Sequence, residues 1–141
     1  MKEFSATTNI HASTDKIWAI LIDAPHYPEW DPGVERIEGT IGLGNKIKIY
    51  AKLSPERAFP VTVSEMAARQ SMTWRSGMPL GLFKGERTFT LAQQSGGNVQ
   101  VTVREVFSGL LLPLFGRSLP DLTSTFEEFL AGLKRRVESS G

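Results

Sequence analysis

The sequence predicts an α+β domain: a curved antiparallel sheet of about six or seven strands wrapped on one long C-terminal helix, with two short helices after the first strand. Three observations predict it. From Val34 onward, apolar residues recur at every second position in short runs separated by glycine-containing turns, the period of half-buried strands. Before them, one strand-like run is followed by a short amphipathic segment and a proline-rich turn. After them, the apolar spacing lengthens to three and four residues and holds almost to the end of the chain. A chain of 141 residues can bury enough surface for one core, so residues 1–141 read as a single domain.

Taken in order, Met1 to His11 alternates, with Phe4, Ala6, Thr8 and Ile10 on one face. Ser13 offers an N-cap and Asp15 puts negative charge in the first turn of a helix whose apolar side is Ile17, Trp18, Ile20 and Leu21. Pro25 disfavours helical geometry at Ala24, so this helix should end near Asp23. Tyr27 to Pro32 suits one helical turn. Val34 to Glu38 is a short strand. Gly39, Gly42 and Gly44 mark a turn, and no helix follows that would receive a phosphate. Ile47, Ile49, Ala51 and Leu53 then share a face, as do Phe59, Val61 and Val63, with Pro60 tolerated at a strand start. Met72 and Trp74 share the next. Gly77 to Gly85 reads as a loop with apolar Leu80, Leu82 and Phe83, and Leu110 to Phe115 as an apolar loop broken by Pro113. Arg87, Phe89 and Leu91 pair with Val99 to Phe107 about the Gly96-Gly97 turn. Leu119, Leu122, Phe126, Phe129, Leu130, Leu133 and Val137 form the helical stripe, with Pro120 in its first turn.

Several function classes lack their residues. Sixteen basic and 15 acidic side chains leave a net charge of +1, without the basic stripe a nucleic-acid binder needs. The one tight basic run, Lys134-Arg135-Arg136, fits the solvated end of the last helix. There is no cysteine, which excludes disulfides, thiolate metal sites and a Cys–His dyad. His11 and His26 have no partner at metal-ligand spacing, so neither a metal nor another cofactor is expected. No signal-peptide core and no run of roughly 20 apolar residues occurs, so the expectation is a cytoplasmic monomer or homodimer without stable membrane insertion.

Three local patterns resemble the START-like superfamily, whose members include polyketide cyclases and dehydratases and lipid-transfer domains. Ala12 to Trp18 followed by Asp23 to Trp30, with its Tyr-Pro-Glu-Trp, resembles that family's first-helix entry and turn. Glu105-x-Phe107-x-Gly109 resembles the end of its last strand, and Leu119 to Glu138 its C-terminal grip helix. The resemblance implies a helix-grip fold with a cavity between sheet and helix, open near the helix N-terminus, and a hydrophobic small molecule as the partner. It does not separate carriers from enzymes or co-chaperones.

The residues expected to meet such a ligand are Phe59, Val61, Trp74, Phe89 and Phe107 on the inner sheet face. Phe83, Leu111 and Phe115 join them from the loops, and Leu122 and Phe126 from the helix. Arg87 and Glu105 fall on the apolar phase of their strands and should meet across the hairpin, since burying either alone is costly. Such a pair orients a ligand's polar head or fixes strand register. Three readings follow: a binding module for a lipid, polyketide or isoprenoid-like molecule; a cyclase or dehydratase-type enzyme using Arg87 or Glu105; and, last, a protein-interaction module.

Overall fold

The computed structural model describes residues 2–115 and 121–139, the side chain of Phe115 aside. Seven antiparallel strands form one sheet in the order β1-β7-β6-β5-β4-β3-β2. They are β1 (Lys2–His11), β2 (Val34–Glu38), β3 (Lys46–Ala51), β4 (Phe59–Ala67), β5 (Ser71–Met78), β6 (Phe83–Gln93) and β7 (Asn98–Ser108). Strands β2 to β7 are a meander, and β1 closes onto β7 from Lys2↔Phe107 to His11↔Asn98. The two sheet edges are bridged by α1 (Thr14–Leu21) and a 3₁₀ turn (Ala24–Glu29). The chain ends with a four-residue α2 (Leu112–Phe115) and a long α3 (Thr123–Ser139). The expected α+β helix-grip arrangement is the one observed.

Local chemistry accounts for the joints. The Ser13 hydroxyl accepts the Lys16 amide at 3.2 Å and caps α1. The 3₁₀ turn starts three residues earlier than the sequence predicted, because Pro25 occupies its first turn, where proline's missing N–H costs nothing. The Asp121 carboxylate accepts the Thr123 amide at 2.9 Å as α3 begins. The expected helix positions Leu119 and Pro120 lie outside the described residues.

The concave face of the sheet and the apolar side of α3 share one core. Phe126, Leu130, Leu133 and Val137 of α3 are buried with Ile10, Ile17, Leu21, Val99 and Val101. The C-terminal half of α3 is tied to the end of β1: the Glu138 carboxylate accepts the His11 amide at 3.1 Å, and Lys134 donates to the Asn9 carbonyl at 2.8 Å. Arg136 pairs with Glu29 at 2.8 Å. The basic run at the end of α3 is therefore partly spent on its own packing.

Four expectations need correction. Leu53 does not share the inner face of β3; that strand ends at Ala51 and Leu53 is 98% exposed in the following loop. Tyr50, which in the sequence alternates on the side of Lys46, Lys48 and Lys52, is buried: a register shift at Val34/Arg36 turns the neighbouring strand, so Arg36 stacks 3.7 Å from the Tyr50 ring and the phenol donates to Glu38 at 3.2 Å. The Gly77–Gly85 segment is no loop. Strands β5 and β6 pair through to Met78↔Phe83, and only Pro79 to Leu82 turn. Gly77, at φ +130°, lets the strands close there, because a side chain would meet the Phe83 carbonyl at 2.3 Å. Finally, residues 112–115 of the expected apolar loop form α2, with Pro113 in its first turn.

Candidate ligand-binding cavity

Between the concave face of the sheet and the N-terminal half of α3 lies an open cavity of about 440 Å³. Strand alternation builds its floor: Val61 on β4, Trp74 and Ser76 on β5, Arg87 and Phe89 on β6, and Val103 and Glu105 on β7 point inward. Thr125, Phe126 and Phe129 form its roof, one helical turn carrying three contacts at i, i+1 and i+4. Ser54 and Arg57 come from the β3–β4 connection and Phe59 from the start of β4, while Asp31 and Gly33 come from the segment after the 3₁₀ turn and Val34 from the start of β2. Phe59 is 55% exposed, so it stands at the rim rather than in the floor.

An aromatic ring of rings holds this region. Tyr27 and Trp30 lie 4.5 Å apart, Trp30 and Phe129 5.3 Å, Phe129 and Phe89 5.6 Å, Phe89 and Trp74 4.8 Å, and Trp74 and Tyr27 6.3 Å. Tilted and edge-on contacts of this kind add to the burial energy of each ring. They lock the 3₁₀ turn, β5, β6 and α3 around the cavity. The buried Tyr27 hydroxyl donates to the Leu21 carbonyl at 2.6 Å, and burial pushes its pKa well above the usual phenol value. The Trp74 indole N–H is buried without an acceptor among the described residues, in a side chain that forms part of the wall.

The polar groups are few. Arg87 and Glu105 face each other in register on β6 and β7, and the Arg87 Nε donates to Glu105 Oε1 at 2.7 Å. Glu105 is nearly covered at 9% side-chain exposure, while Arg87 retains 33%. The guanidinium also lies 5.0 Å from the Phe126 ring. Asp31 is buried, and its Oδ1 accepts the Gly33 amide at 3.0 Å. Burial pushes the Asp31 pKa up, against the opposing pull of the Gly33 amide and the positive charges of Arg87 and Lys52. A guanidinium, a covered carboxylate and a buried carboxyl with a raised pKa can together orient an oxygen-bearing end of an otherwise apolar molecule.

Of the expected contact residues, Phe59, Val61, Trp74, Arg87, Phe89, Glu105 and Phe126 line this cavity. Phe83, Phe107, Leu111 and Leu122 do not. Gly85 lets Phe107 pack closely, since a β-carbon there would lie 3.2 Å from its ring; that ring stacks on Phe83 at 5.9 Å and meets Phe4 edge-on at 6.2 Å, making a separate apolar contact at the strand ends. The Leu111 amide binds the Leu82 carbonyl at 2.7 Å and holds that residue against the β5–β6 turn. Leu122 packs on the core ahead of α3. The side chain of Phe115 lies outside the described residues. Sequence reasoning missed Asp31, Arg57 and Ser76. Ser76 was accessible, two residues after Trp74 on the same face, whereas nothing in the local pattern marks Asp31 or Arg57. No group of three or more metal-ligating side chains occurs among the described residues, and no described helix is long and apolar enough to cross a membrane.

Residues 1–138 match the family model described as polyketide cyclase / dehydrase and lipid transport. No curated protein sequence matches the chain. Among solved structures, a START superfamily protein from Mycobacterium smegmatis superposes with a TM-score of 0.74 at 18% identity, over 99% of each chain. The di-domain ARO/CYC BexL of the BE-7585A biosynthetic pathway gives 0.73 at 16% identity, over 98% of this chain and 47% of that one. DynU16, from the dynemicin biosynthetic locus, gives 0.74 at 17% identity, over 99% of this chain and 48% of its own. At these identities the structures establish the fold alone, while the family model spans nearly the whole sequence. The chain belongs to the polyketide cyclase / dehydrase and lipid transport family, on a START-like helix-grip fold.

Proposed function

We propose that this protein binds a hydrophobic small molecule, of lipid, polyketide or isoprenoid character, between the sheet and α3. The polar end of the ligand sits at Arg87, Glu105 and Asp31. The observation that carries the reading is the unfilled space of about 440 Å³ between aromatic walls, with a charged pair set into an otherwise apolar floor. That volume is in the range of small-molecule sites, roughly 300–1,000 Å³. A void among well-packed aromatics forfeits dispersion contacts that a ligand restores.

The reading is tested by titrating a fluorescent fatty-acid probe and displacing it with unlabelled apolar molecules. Saturable one-to-one binding that is lost in Val61→Phe, which narrows the floor, is the expected result. Binding that is unsaturable, or unchanged in Val61→Phe, contradicts it.

Catalysis in the same cavity is the second reading, and one arrangement favours it: the buried Asp31 carboxyl, its pKa raised by burial, lies in the wall with the Arg87 guanidinium. Perturbed carboxyls in clefts are candidates for acid–base work. In this reading the cavity folds a reactive chain and Arg87 draws charge onto a carbonyl oxygen while Asp31 supplies a proton. Asp31→Asn and Glu105→Gln then each lower turnover of a cyclisable polycarbonyl substrate by about 10²-fold or more. Unchanged turnover in both variants removes the catalytic role from these carboxyls.

A further inference from the structure

The convex face of the sheet carries a second concavity, of about 460 Å³, beneath the β5–β6 hairpin tip. Its floor is set by register: Lys46 of β3 stands opposite Thr62 of β4, and Thr62 opposite Arg75 of β5. Lys84 of β6 comes in from the next cross-strand row, opposite Gly77. All four line the concavity, and among the described residues no carboxylate does. One acid stands nearby: Glu86, opposite Arg75 in register, takes Lys84 at 3.5 Å. Lys46 and Arg75 make no side-chain hydrogen bond or ion pair among the described residues. Two cations two strands apart, with a threonine hydroxyl between them, present converging donors to one multivalent anion.

The overhanging tip is apolar. Met78, Pro79 and Leu80 form its edge over the basic floor. Leu80 is 91% exposed and sits at φ 61°, ahead of Gly81 at φ 69°. A two-residue turn of this hand favours Asn-Gly or Gly-Gly, so a bulky leucine there opposes both the local backbone preference and the hydrophobic effect. Leu110 and Leu114, also strongly exposed, lie on the adjoining segment, where the Leu110 amide binds the Gly81 carbonyl at 3.1 Å. Apolar edge and cationic floor thus adjoin on the convex face, and Ser76 alone lines both this concavity and the ligand cavity.

We propose that this convex-face concavity is a second binding site, for the phosphate group of an amphiphile whose apolar part lies against Met78, Pro79 and Leu80. Lys46, Arg75 and the Thr62 hydroxyl hold the phosphate oxygens, and Lys84 adds charge from the hairpin. The phosphate reaches the site either on a dispersed molecule or on the surface of a membrane, and the chemistry of contact is the same.

The test is calorimetric titration of the whole chain with three probes: dihexanoyl phosphatidic acid below its micellar concentration, inorganic phosphate, and phosphatidylcholine vesicles containing phosphatidic acid. The expected result is binding of the short-chain lipid or of the vesicles, weakened about tenfold or more in the K46Q/R75Q double variant and weakened by added salt. Leu80→Asn weakens lipid binding and leaves the response to inorganic phosphate unchanged. With the concave cavity narrowed by Val61→Phe, the short-chain lipid binding that persists is expected to be lost on adding K46Q/R75Q, and persistence in the combined variant overturns the proposal. Binding of the short-chain lipid assigns a dispersed ligand, and binding of vesicles alone assigns a lipid surface. No binding of either, or binding indifferent to K46Q/R75Q, overturns the proposal. Inorganic phosphate binding as tightly as the lipid overturns the apolar half of it.

Discussion

Arg87 and Glu105 are equidistant in sequence from Gly96, and both fall on the apolar phase of their strands. That symmetry made their pairing legible before any coordinates, and they meet at 2.7 Å. Glu105→Gln leaves a guanidinium facing a weaker acceptor in a largely covered setting, and is expected to lower unfolding free energy by about 1–3 kcal/mol in urea denaturation. Asp31 gave no such signal. Its burial comes from residues far away in sequence, so only the folded chain reveals it. Because its carboxyl titrates above the usual aspartate value, the stability it contributes is full at low pH and is lost as pH rises through the raised folded value. Asp31→Asn is therefore expected to raise the melting temperature at pH 7 and to have little effect near pH 3, while its amide oxygen keeps the bond to the Gly33 amide. His26 is exposed but hydrogen-bonded to Asp23 at 2.7 Å, with Glu29 also nearby, and its pKa is raised. Its protonated form stabilises the turn at low pH, and that contribution fades as pH climbs past the raised value. NMR titration should place His26 above the ordinary 6.5 and should find it lower in Asp23→Asn.

Among the elements, strands were the most readable, because period-two alternation directly encodes which side chains face inward. Their ends were less so. The β5–β6 hairpin looked like a long loop because Gly77, Pro79, Gly81 and Gly85 signal turns. Only cross-strand pairing, a property of two segments at once, shows that Gly77 and Gly85 lie within strands. The same physics explains Phe107: its alternation was right, but at the strand ends its ring found that of Phe83, which had read as a loop residue, rather than the cavity. Two substitutions test the joints. Leu80→Asn relieves an unfavourable left-handed leucine and should raise stability by about 1 kcal/mol. Gly132→Ala should lower it by about 1–3 kcal/mol or more, because a β-carbon on α3 would meet the Trp30 carbonyl oxygen at 2.0 Å. Nothing in the helical stripe of α3 distinguishes Gly132, since its demand for space is set by the turn packed on it.

At the scale of the whole molecule, one sheet carries a concavity on each face. The concave face pairs with α3, solidly packed toward its C-terminal end where Lys134 and Glu138 clasp β1, and open toward its N-terminal end where Phe126 and Phe129 roof the cavity. The helix-grip arrangement was legible from element order and periodicity. Whether the many aromatic residues fill the interior or line a space was not, because alternation fixes direction and not distance. The five-membered circuit through Tyr27, Trp30, Phe129, Phe89 and Trp74 props the walls apart, and it depends on residues from four separate elements. Native mass spectrometry of the purified protein, followed by organic extraction and analysis of what is released, tests this account most directly. A stoichiometric apolar adduct, absent from Val61→Phe, is the predicted result. A bare apo mass, together with no thermal shift across a panel of lipids, polyketides and isoprenoids, would contradict it.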